Sequence, residues 1–137
     1  MANSTTLYNL PDGRRAVDVT EAKTLAITDQ GIVQVVKTDA IAVTLPATVV
    51  GYSFTVQNGG DAATGAPTGS GSNHSCLVEL APVAADLIAG GQITAADDKS
   101  YLNTKATANV GDEVTVVGNG TTGWNITDQK GIWAREA

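Results

Sequence analysis

His74 and Cys76 stand two residues apart in Asn73-His74-Ser75-Cys76, and they are the chain's one histidine and one cysteine. On a strand such a pair shares a face, the placement that a metal site or a thiolate with its base would use. Zinc takes three or four ligands, and no second histidine or cysteine exists to complete a set. A nucleophile–base dyad needs the two side chains to meet and a third group to orient the base, whereas neighbours on one strand face project side by side. The expectation is therefore a core Cys76, a His74 at a loop mouth, and no metal.

Gly118-Asn119-Gly120-Thr121-Thr122-Gly123 fits G-x-G-x-x-G and follows a strand pattern. A dinucleotide fingerprint works only where a helix begins at its end, so that the helix N-terminus holds the pyrophosphate. Here Trp124-Asn125-Ile126-Thr127 continues as a strand, which predicts a glycine-rich hairpin between antiparallel strands. Asp97-Asp98 and Asp112-Glu113 are adjacent acids that point in different directions. They form no acid/base couple and no calcium loop, and read as solvated turn acids. Asn-x-Ser/Thr triplets at Asn3, Asn73, Asn119 and Asn125 follow from a composition rich in asparagine and threonine. Trp124 and Trp133 could stack on a sugar, but beside Ile126 and Ile132 they read as core pieces of two paired strands. No residue is assigned a catalytic role, and no cofactor is expected.

The elements around these residues are short strands. From Val17 onward strand signals recur every eight to twelve residues or so, the spacing of an all-β sandwich or barrel. They fall at Thr24–Thr28, Ile32–Lys37, Ala40–Leu45, a strand after Gly51, Ser75–Leu80, Ser100–Asn103, Asp112–Val117, Trp124–Thr127 and Ile132–Arg135. Tyr52, Phe54 and Val56 alternate with Ser53, Thr55 and Gln57, the pattern of a half-buried strand. Residues 58–73, NGGDAATGAPTGSGSN, are low in complexity and read as a long surface loop. Ala81–Ile93 is compatible with a helical turn or short strands. No sustained 3.6-residue apolar period occurs, so long helices are not expected. The predicted core holds Val43, Leu45, Tyr52, Phe54, Val56, Val78, Val114, Val116, Trp124 and Ile126.

One domain accounts for 137 residues, enough to bury a core without metal or disulfide staples. Residues 1–16 read as an extended arm and 17–137 as the β-domain. In the arm, Leu7, Tyr8 and Leu10 are isolated apolar residues, Pro11-Asp12-Gly13 signals a turn, and Arg14-Arg15 is the basic doublet. A net charge of −6, with acids scattered, disfavours a nucleic-acid partner, which needs clustered basic surface. The N-terminal stretch lacks the organisation of a secretory signal, and no apolar run approaches a spanning helix. A membrane partner is not expected, and folding in a reducing cytoplasm is.

Two runs carry a resemblance, TDQGIVQVVKTDAIAVTLPATVVGYSFTVQNGG and GDEVTVVGNGTTGWNITDQKGIWAREA. With the Ala96-Asp97-Asp98-Lys99 block between them, the chain from Asp29 to Arg135 resembles capsid decoration (cement) or head-associated proteins of tailed bacteriophages. The resemblance implies a single jelly-roll-like (β-tulip) domain that trimerises and clamps the major capsid protein from the outside of the virion. It also implies that an arm makes capsid contacts, which would fall to Leu7, Tyr8, Leu10, Arg14 and Arg15. Related patterns occur in fibre modules, so a glycan- or receptor-binding adhesin is the alternative.

Overall fold

The computed structural model describes residues 3–61, 75–90 and 95–137. His74, most of the low-complexity stretch (62–73) and the end of the ambiguous segment (91–93) lie outside these residues. The chain forms twelve strands: β1 (Tyr8–Asn9), β2 (Arg15–Val19), β3 (Lys23–Thr24), β4 (Ile32–Val36), β5 (Ile41–Thr44), β6 (Ser53–Asn58), β7 (Val78–Ala81), β8 (Leu87–Ala89), β9 (Tyr101–Asn103), β10 (Glu113–Gly118), β11 (Gly123–Lys130) and β12 (Ala134–Arg135). A 3-10 turn at Ile27–Asp29 is the one helical element among the described residues. Seven strands make one sheet, in the order β1-β2-β4-β6-β10-β11-β8, and five make the other, β12-β9-β7-β5-β3. The fold is all-β, a two-sheet sandwich that does not close into a barrel.

Both sheets are mixed. β2, β4 and β6 run parallel in the larger sheet, and β3, β5 and β7 run parallel in the smaller. Parallel neighbours require a crossover between them. From β2 to β7 the crossover from each strand to the next in its own sheet is a strand of the other sheet. The chain therefore winds between the layers through β7, after which antiparallel strands close the sandwich: β9 and β12 on the small sheet, β10 and β11 on the large one.

The inner faces meet in one cluster. Val43, Leu45, Phe54, Val56, Val78, Val114, Val116 and Trp124 are buried, with Tyr52 and Ile126 half-buried against them. Phe54 packs between Trp124 and Tyr52, with ring centroids 5.6 and 6.5 Å away. In β4, Val33 to Val36 are buried on both faces, as expected of a parallel strand covered on each side.

Three local expectations change. Thr24–Thr28 is not a strand beyond Thr24, because the Asp29 carboxylate accepts from Ala26 N at 2.8 Å and Asp29 N donates to Ala26 O, closing a tight turn. β11 runs on to Lys130, since Glu113 to Thr115 of β10 keep pairing with Asp128 to Lys130 past a bulge. The N-terminal stretch, expected as an arm, folds back instead: Tyr8 and Asn9 pair with Ala16 and Arg15.

The core predicts its own weak point. Phe54→Ala removes a ring packed between two others, and large-to-small core changes of this kind cost about 3–5 kcal/mol. Urea unfolding should show a loss in that range.

Candidate functional site

At one end of the sandwich the polar residues form a closed, buried network. Cys76 Sγ donates to Asn58 Oδ1 at 3.3 Å, and Asn58 Nδ2 donates to Cys76 O and to Asn103 Oδ1, both at 2.7 Å. Asn103 Nδ2 in turn donates to Asp112 Oδ2 at 3.1 Å and to Ile132 O at 3.0 Å. Asp112 also accepts from Asn109 N, and its carboxylate fills the space where a Cβ on Gly131 would sit. Burial, with the Asp39 carboxylate adding to it, pushes the Cys76 thiol up to about 11. At neutral pH it is a protonated core group and no nucleophile. Asp39 lies at the same end and accepts from Lys105 Nζ at 2.7 Å and from Leu77 N at 2.8 Å. These bonds hold its carboxyl below the usual range despite burial.

Asp97 and Asp98 are exposed, but the expectation of solvated turn acids fails for Asp112-Glu113. Asp112 is buried within the asparagine network, and Glu113 is held by Arg14. Adjacent acids on a strand do point to opposite faces. Here one face is the core and the other carries a guanidinium.

The G-x-G-x-x-G run is a hairpin turn joining β10 to β11, and all six of its amides are engaged within the protein. Gly118 N donates to Tyr52 O, Asn119 N to Gly123 O, and Gly120 N to Thr48 Oγ1. Thr121, Thr122 and Gly123 N converge on Asn119 Oδ1 at 2.9 to 3.0 Å. The amides that would cradle a phosphate are thus turned onto an asparagine side chain. Gly123 is required by crowding. Its φ is +148°, and a Cβ there would overlap the backbone of Leu87, where β8 runs beside β11.

The N-terminal segment is strapped to the large sheet. Asn3 accepts from Thr20 N and Glu21 N and donates to Glu21 O, while Tyr8 OH donates to Asp18 Oδ1 at 2.6 Å. Burial and the Asp18 carboxylate push the Tyr8 phenol up to about 12. Leu10 packs on Ala16, Val33 and Val35. Arg14 then forms a bidentate pair with Glu113 at 2.6 and 2.8 Å and also binds Asp12 at 2.8 Å. β4 and β6 separate β2 from β10, so this pair carries the turn across the outer face of the sheet. Of the five residues assigned to capsid contact, Leu10 is half-buried on the sheet, while Leu7, Tyr8, Arg14 and Arg15 keep exposed surface, Tyr8 and Arg14 with their polar ends bound to Asp18 and Glu113.

Neither tryptophan is available to a sugar. Trp124 is fully buried against Phe54, and Trp133 stacks on Tyr101 at 5.5 Å with 6 % exposure. Nor do they lie on paired strands: β11 pairs with β10 and β8, while β12, which follows Trp133, pairs with β9 in the other sheet. Among the described residues no three His, Cys, Asp or Glu side chains gather as a metal-ligand set, and no helix is long and apolar enough to cross a membrane. Set against known protein families, curated proteins and solved structures, the chain matches none.

Two measurements follow from these contacts. The Arg14 guanidinium holds the Glu113 carboxyl below its ordinary value, so the folded state binds fewer protons at that site than the unfolded chain does. The pair's stabilisation is fully present above about pH 4.5 and is lost as pH falls through the lowered folded value. Glu113→Gln should cost about 1 kcal/mol at pH 7, with the difference from wild type shrinking in a denaturation series as pH falls through the lowered folded value. Gly123→Ala should destabilise by roughly 3 kcal/mol or more, from overlap and positive φ together. Thermal melting reads this directly.

Proposed function

We propose that this chain is a structural protein of a tailed-bacteriophage virion. In this reading it is assembled in the host cytoplasm and sits as a homotrimer on the outside of the capsid, where it binds and stabilises the major capsid protein lattice. The observation that supports the reading is where the polar groups go. Cys76, Asn58, Asn103, Asp112, Asn119, Arg14 and Glu113 all serve to fix the shape of the sandwich and its loops. A decoration protein works through such a shape, because a rigid domain presented many times on a lattice turns weak contacts into firm attachment. The exposed part of the N-terminal strap, Leu7, Tyr8, Arg14 and Arg15, is one surface for it.

Light scattering of the purified chain should give the mass of three copies. Expanded shells of the major capsid protein should melt several degrees higher with the chain bound. A monomer that leaves the shell transition unmoved would contradict the reading. Binding on a glycan array instead would favour the adhesin, through residues other than the two tryptophans.

A further inference from the structure

The turn at Thr48–Gly51, where the chain crosses from β5 to β6, is fastened from several sides. Thr48 N donates to Asp86 Oδ2 at 3.0 Å, and Thr48 Oγ1 donates to Gly123 O at 2.5 Å while accepting from Gly120 N at 3.0 Å. Gly51 N donates to Gly118 O and Tyr52 N to Val49 O, each at 3.1 Å. A Cβ on Gly118 would overlap Val49 O, and one on Gly120 would overlap the Val50 side chain. The turn is thereby seated on the β10–β11 hairpin with no slack. Its outermost side chains are nevertheless apolar and open to water: Val49 is 43 % exposed and Val50 75 %. Ile27, 56 % exposed, belongs to the same end, since Gln30 of its turn accepts from Ser53 N beside Tyr52.

A turn held this firmly keeps its valine pair in one geometry, so docking it carries little ordering cost. One flank of the turn is acidic. Asp86 lies directly behind Thr48, Asp98 N donates to Asp86 O, and Asp97 and Asp98 are exposed. A second copy of a chain with net charge −6 would bring like charge to this flank. Val49 and Val50 together expose on the order of 200 Å², well short of the roughly 800 Å² per partner of a stable pairwise complex. Small area, fixed geometry and an acidic flank together fit a contact repeated over a lattice.

We propose that Val49 and Val50 form a docking knob for a protein partner that offers an apolar pocket with a basic rim. This rests on the capsid reading, in which the partner is the major capsid protein. The test compares occupancy of wild type, Val50→Ile, Val50→Asp and the Asp97→Lys/Asp98→Lys double variant on expanded shells of that protein. Val50→Asp should lower occupancy at least tenfold, the double variant severalfold at low salt, and Val50→Ile little. Val50 is mostly exposed, so the Val50→Asp melting temperature should stay within a few degrees of wild type. Val50→Asp decorating as wild type does would overturn the knob and leave the capsid reading standing. Loss of self-association in Val50→Asp with shell binding retained would make the occupant a second copy and overturn the proposal. Wild type that fails to bind the shells would overturn both.

Discussion

The structure depends on one demand, that β4 be covered on both faces. Val33, Val35, Gln34 and Val36 are all buried, and a strand with no wet side cannot belong to a one-faced antiparallel sheet. Its inner face is met by the smaller sheet, reached by winding the chain between layers. Its outer face has no third layer to rest on. The N-terminal residues supply that cover: Leu10 closes over Ala16, Val33 and Val35, and Arg14 reaches past two strands to Glu113 to hold it there. The strap also covers part of an edge, since Tyr8 and Asn9 pair with Ala16 and Arg15 of β2 and occupy backbone groups that would otherwise template another strand.

The same economy of space governs the far end. β8 approaches β11 so closely at Gly123 that a single methyl group would separate them, and the turn before β6 lies directly on Gly118. The three glycines of the G-x-G-x-x-G run are each set by a neighbouring backbone or side chain. Asn119 completes the arrangement by accepting three amides at once.

Much of this was legible in the residues and some was not. The alternation of Tyr52, Phe54 and Val56, and of Val114 and Val116, announced strands with one face in the core, because period-two burial is imprinted locally. The hairpin at Gly118–Gly123 was readable for the same reason, from what followed the glycines. Parallel pairing was not readable, since a strand's partner is chosen by winding and not by its own side chains. The strap was missed because its strand is two residues long and held by long-range side-chain bonds, Arg14 to Glu113 and Asn3 to Thr20. Asp112 reads as solvated in sequence because nothing near it signals Asn103 and Gly131, the distant residues that close over its carboxylate. Composition did carry one hint: IVQVVK is too apolar for a strand with a wet face.

The exposed valines can be weighed against the buried ones. Covering what remains open of Val49 and Val50 is worth roughly 2–3 kcal/mol, comparable to one good core contact and far below what holds a lone complex together. Within the fold that energy is unreachable, because the hydrogen bonds of Thr48 and Gly51 and the crowding at Gly118 and Gly120 fix the turn outward. A free loop would fold its valines down and lose the knob. The fastening therefore converts a small hydrophobic gain from an internal one into one that only an outside surface can collect. A gain of that size becomes decisive only when the surface presents it many times over.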